Sequence, residues 1–146
     1  MKLSGHFYGK LTNHRTGEVI CWDKSNMVVQ SGFNWIANLM MNKVNRSMAI
    51  THIAFGTGTS TTTSSMTALE KEVYRAEVTA EWNQNARELI FSGEIPTGSG
   101  LELNITEVGL FNADINGTLF DRATFSPKGI DNDTSFTYHF KITLTE

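Results

Sequence analysis

The chain has 146 residues, of which 40% are hydrophobic and 18% charged, and its formal net charge is −3. This length predicts one domain, residues 1–146, that buries a core without disulfides or metal. The mild negative charge without a Lys/Arg run argues against nucleic acid as a partner, and the short apolar stretches argue against a membrane.

The first predicted elements are a hairpin and the one long helix. Residues 3–11 and 18–23 are expected to pair across a turn in which Gly17 adopts a positive φ. Ser31 is a good N-cap for an amphipathic helix over residues 31–43. Core packing is expected for the apolar positions of this helix, which are Phe33, Ile36, Ala37, Met40 and Met41, with Trp35 and Leu39 beside them.

The rest of the chain alternates in hydrophobicity with a period of two, which is typical of strands. The predicted strands cover residues 50–55, 73–82, 88–95, 105–111, 118–125 and 135–144. Thr67 is a candidate cap for a single helical turn, and turns are expected at Asp114–Gly117 and Ser126–Gly129. About eight short strands with one helix predict a mainly β fold, an antiparallel β-sandwich with the 31–43 helix packed on one sheet or edge.

The stretch from Gly56 to Ser65 is the longest loop expected. It contains no hydrophobic residue, so it should be exposed, and deleting Thr59–Ser65 should leave the fold intact. Gly56-Thr57-Gly58-Thr59 invites comparison with a phosphate-binding loop, but no Lys-Ser/Thr follows the second glycine. A flexible turn is the better interpretation.

The sequence predicts no catalytic, cofactor-binding or metal-binding residue. The four histidines do not fall at metal-ligand spacing, and Cys21, in an apolar run, is expected to be buried. Asp131–Asp133 is expected to form a turn rather than a calcium site. The three tryptophans, Trp22, Trp35 and Trp82, could line a glycan groove, although core or interface packing is favoured.

Three segments of the chain resemble a known family. In chain order they are Met27–Gly32, then Ile50–Thr59 with Thr67–Arg75, then Ile105–Asp114 with Gly117–Ala123. In this order and spacing they are similar to small phage tail-fibre and tail-associated structural proteins, and to the N-terminal module of phage tail-collar fibre proteins. The resemblance implies a non-enzymatic protein of the virion, assembled in the bacterial cytoplasm as a tail, fibre, adaptor or head-accessory (decoration) component.

This resemblance also bears on partners. Fibres of the resembled family are trimeric, so a homo-oligomer is expected, with a trimer favoured, together with docking to other virion proteins. The candidate contact residues are the uncharged loop positions Gly56, Thr57, Gly58, Thr59, Ser60, Thr61, Thr62 and Thr63, and the 3–23 hairpin is a second candidate docking element. The alternative function is a carbohydrate-binding module that recognises host glycans.

Overall fold

A computed structural model describes residues 2–41 and 49–146, which contain nine antiparallel strands and one helix. The strands are β1 (Lys2–Asn13), β2 (Val19–Val28), β3 (His52–Gly56), β4 (Glu72–Glu77), β5 (Thr79–Asn83), β6 (Glu88–Ile95), β7 (Leu103–Phe111), β8 (Leu119–Ile130) and β9 (Thr134–Thr145), and the helix is α1 (Gln30–Met40). Their order across the sheet is β4-β3-β7-β8-β2-β1-β9-β6-β5.

This sheet folds over into a nearly closed sandwich. Strand β2 pairs with β1 up to Asn26 and then with β8 through Met27 and Val28, so it belongs to both halves. Strands β4 and β5 are the two ends of this order, and along the chain only Val78 separates them. The predicted mainly β fold is therefore confirmed.

Aromatic side chains fill the space between the two halves. The inward positions of β9 alternate as predicted, and they are Phe136, Tyr138, Phe140 and Ile142, all at most 1% exposed. Phe55 of β3 packs edge-on against Phe136, with ring centroids 5.3 Å apart. Burial of such rings supplies much of the apolar area that stabilises a domain of this size.

Helix α1 differs from its prediction in its cap and its buried face. The N-cap is Val29, and the hydroxyl of Ser31 instead donates to the Leu119 carbonyl at 2.6 Å. Only Gly32 and Trp35 are buried on the helix. The predicted end of the helix at residue 43 lies outside the described residues. No helix in the described ranges is long and apolar enough to cross a membrane.

Four further expectations are corrected. The predicted strand over 73–82 is two strands, and no helical turn forms after Thr67. Cys21 is exposed, because it lies on the outward side of β2 opposite Lys10. The expected turn at Ser126–Gly129 is part of β8. Beyond Arg122, β8 has β7 as its only strand partner in the described residues, and Pro127 lies where the β7–β8 register shifts, between Thr124 and Lys128. Its missing N–H is therefore tolerated.

Candidate protein-contact loop

The loop that joins β3 to β4, residues 57–71, covers the outer face of the β3-β7-β8 sheet. Four of its predicted contact residues, Thr59, Ser60, Thr61 and Thr63, are exposed. Gly56 and Gly58 are buried, and Thr57 and Thr62 are partly buried, so the expectation of a wholly exposed segment is wrong. The cause is a charged residue beneath the loop, on β7.

Glu107 is completely buried and accepts hydrogen bonds from three backbone N–H groups of the loop. One oxygen accepts from Gly58 at 3.0 Å and from Lys71 at 2.8 Å, and the other accepts from Glu70 at 3.0 Å. A buried carboxylate is tolerated only when such donors satisfy it. Both ends of the loop are thus held by one side chain.

Arg122 of β8 balances the charge of Glu107 and is itself completely buried. Its Nε and Nη2 atoms both lie 2.8 Å from the second Glu107 oxygen. Its Nη1 donates to the Ser60 carbonyl at 2.8 Å and to the Thr62 hydroxyl at 2.9 Å. The ion pair therefore reaches the middle of the loop as well as its ends.

A glycine is required at position 58 because the loop backbone passes close to the Glu107 carboxylate there. A Cβ atom added to Gly58 would lie 2.6 Å from a Glu107 carboxylate oxygen, a distance that real Cβ atoms do not show. Gly58 therefore allows its own N–H to reach the carboxylate. This structural role replaces the comparison with a phosphate-binding loop.

Further contacts fix the loop to itself and to α1. The Ser60 N–H donates to the Glu70 carboxylate at 3.1 Å, and hydrogen bonding to Ser60 lowers the pKa of Glu70. The Ser64 carbonyl accepts from the N–H of Gln30 at the start of α1. Leu69 packs into a small apolar cluster with Phe111 and Leu119. The loop is consequently an ordered cover.

Deletion of Thr59–Ser65 would therefore not be neutral, contrary to the sequence-based expectation. It would remove the Ser60 carbonyl and the Thr62 hydroxyl, which are the two loop acceptors of a buried guanidinium. Hydrophobicity could not predict that Thr59–Ser65 supports the buried guanidinium, because the groups that do so are a backbone carbonyl and a hydroxyl. A charged pair inside the predicted β7 and β8 strands was the only available signal.

A second arginine ties β4 to the turn after β7. Arg75 pairs with Glu72 and donates from Nη1 to the carbonyls of Ala113 and Asn116 at 2.9 and 2.8 Å. Its guanidinium carbon lies 3.9 Å from the centre of the Phe111 ring. These contacts hold the predicted Asn116-Gly117 turn, where both residues have positive φ. Arg75 is therefore a structural clamp.

The remaining candidate residues do not assemble into a site. Trp22 stacks on Phe136 and Trp35 packs edge-on against Phe120, so only Trp82, 50% exposed, presents a large part of its ring. Among residues 2–41 and 49–146, no three His, Cys, Asp or Glu side chains converge as metal ligands would. Asp131 accepts from the Asp133 N–H at 2.9 Å, as expected for a turn.

One buried acid stands apart from the loop. Asp121 of β8 is fully buried, and neither of its oxygens has a hydrogen-bond partner among the described residues. Burial raises the pKa of Asp121 well above its usual range. The carboxyl is therefore held in an environment that favours its neutral form.

Comparison of the chain with protein-family models, with curated proteins and with solved structures gives no match. The resemblance to phage tail-collar modules accordingly remains a prediction from the quoted residues. Those residues include Gly58, Glu70, Lys71, Glu107 and Arg122, which meet at the buried ion pair.

Proposed function

We propose that this chain is a non-enzymatic structural protein of a bacteriophage particle, which associates with copies of itself and docks to other virion proteins. The observation that carries the proposal is the tethered loop over Glu107 and Arg122. Its exposed side presents hydroxyl groups of Thr59, Ser60 and Thr61 on a backbone already fixed from below. A fixed, uncharged surface binds a protein partner with little ordering entropy and little charge desolvation.

The residues of the resemblance agree with this proposal. They build the β3-β4-β7-β8 half of the sandwich together with the loop that this half supports. The alternative function, glycan recognition, would need an aromatic groove, and two of the three tryptophans have their rings packed against the core. Docking by the loop is therefore the better supported proposal.

Incorporation of loop variants into phage particles tests the docking. Thr61→Lys with Thr63→Lys changes two exposed side chains that are not among the hydrogen-bond partners of Glu107 and Arg122, so the fold should be unchanged. The matched control is Thr97→Lys with Ser99→Lys, on an exposed loop between β6 and β7. We expect the first variant to be depleted from purified particles and the control to be present at the wild-type level. Equal incorporation of both would contradict docking by this loop.

A further inference from the structure

The turn between β7 and β8 contains the one Asn-Gly pair of the sequence, Asn116-Gly117. Both residues have positive φ, 56° for Asn116 and 77° for Gly117. A Cβ atom added to Gly117 would lie 2.9 Å from the Cβ atom of Ala113, which is too close for a real contact. Asparagine is one of the few other residues that adopt positive φ readily. The fold therefore favours this pair of residues in the turn.

Two groups of this pair are free to meet each other. Among the described residues, the Asn116 carboxamide makes no hydrogen bond and the Gly117 N–H has no acceptor. Both residues are exposed. The contacts that fix the turn reach carbonyl oxygens instead, since Nη1 of Arg75 donates to those of Ala113 and Asn116 at 2.9 and 2.8 Å. The turn is thus held in place while its side-chain amide is left unprotected.

Arg75 also favours ionisation of the Gly117 amide. When this N–H loses its proton, the negative charge spreads onto the carbonyl oxygen of Asn116, because both atoms belong to one peptide group. The guanidinium of Arg75 donates to that oxygen at 2.8 Å. A hydrogen bond to the charged form of a group stabilises that form. The Gly117 nitrogen is therefore a better nucleophile than that of an ordinary exposed peptide bond.

We propose that Asn116 is a site of spontaneous deamidation in the folded protein. The Gly117 nitrogen loses its proton and bonds to Cγ of Asn116, which closes a five-membered succinimide ring. The bond from Cγ to Nδ2 breaks, and Nδ2 leaves as ammonia with the proton that Gly117 released. Water then opens the ring at either carbonyl carbon and leaves aspartate or isoaspartate. Since Gly117 has no Cβ atom, nothing on that residue obstructs the ring closure.

Either product places a carboxylate in a cavity beside the 57–71 loop. This cavity has a volume of about 400 Å³, and its lining includes loop residues 67–69 together with Glu72, Arg75, Asp114 and Asn116. Arg75 is the one cation of the lining, and it is already paired with Glu72. Deamidation therefore makes this side of the loop more acidic, and it leaves the chain one unit more negative than its formal charge of −3.

Ageing of the full chain at mildly alkaline pH, followed by peptide mass spectrometry, tests the proposal. We expect the Asn116 peptide to gain the mass difference between NH2 and OH and to separate into two products, aspartate and isoaspartate. The rate should rise with pH, because the reaction begins with loss of a proton. Asn112 is the internal control and should keep its amide, since Ala113 follows it and its Oδ1 accepts from the Thr118 N–H at 2.7 Å.

Asn116→Gln is the matched control variant. It keeps a carboxamide, but attack by the Gly117 nitrogen would have to close a six-membered ring, so ion-exchange chromatography should show no new acidic species during ageing. Circular dichroism shows that wild type and variant stay folded, and a parallel incubation in urea gives the rate for the unfolded chain. Loss of the Asn116 amide in the folded wild type, with Asn112 and the variant unchanged, supports the site.

Three results would overturn the proposal. Loss of the amide only in urea would show that the turn protects Asn116. Equal loss at Asn112 would show that the turn confers no selectivity. A rate in the folded chain that does not rise with pH would contradict attack by the Gly117 nitrogen.

Discussion

Replacing Arg122 with methionine isolates the contribution of the buried ion pair. The variant keeps the volume of the side chain and leaves Glu107 with its three backbone donors, but without a cation. Removing one partner of a buried pair costs about 3–5 kcal/mol of unfolding free energy. The remaining donors to Glu107 place the expected loss near 3 kcal/mol, a large part of the 5–15 kcal/mol typical of a domain.

The assay is urea denaturation followed by circular dichroism, with Arg15→Met as the control. Arg15 pairs with Asp133 at 3.0 Å, but both side chains are about half exposed or more, so this variant should lose less than about 1 kcal/mol. Hydrogen exchange at the Gly58, Glu70 and Lys71 amides gives a local measurement. A loss below about 1 kcal/mol for Arg122→Met, with those amides still protected, would refute the view that the pair holds the loop.

Three other predictions concern single positions. Asp121→Asn should raise stability by about 1–3 kcal/mol at pH 7. The pKa of Asp121 is raised in the folded state, so the stability of the wild type falls as pH rises above the pKa of the unfolded chain. The stability gained by Asp121→Asn should therefore vanish near pH 3, which urea titrations at several pH values would measure. Gly32→Ala should lower the melting temperature, since its Cβ would meet the Phe120 carbonyl, whereas Gly129→Ala meets nothing within 4 Å and should not. The exposed Cys21 thiol should react with a thiol reagent in the folded protein, and a reaction seen only in denaturant would show that it is buried.

The strands were predictable because their side chains alternate between the core and solvent. Glu88–Ile95 and the long β9 alternation follow from the period-two pattern alone. The Asn116-Gly117 turn follows from the Asn-Gly pair, and both residues have positive φ in the structure. The pattern fails in β8, where Pro127 and Gly129 mimic a turn. The strand continues there because its pairing with β7 resumes at Lys128 after a register shift.

The candidate site was less predictable, because tertiary contacts decide it. A Ser/Thr loop without hydrophobic residues gives no sign that its backbone satisfies a buried glutamate 49 positions away, as Gly58 does for Glu107. Similarly, the helical stripe showed which residues of α1 are apolar but not which of them the fold buries. Trp35 faces the core and Met40 faces outward, although both fit the same periodic pattern.

Cryo-electron microscopy of particles from a phage that encodes this chain tests the proposed function most directly. The account predicts density for the nine-stranded sandwich in several symmetric copies, with the 57–71 loop against a neighbouring virion protein. Particles that form and infect normally without any copy of the chain, in a lysate that contains the folded protein, would contradict it.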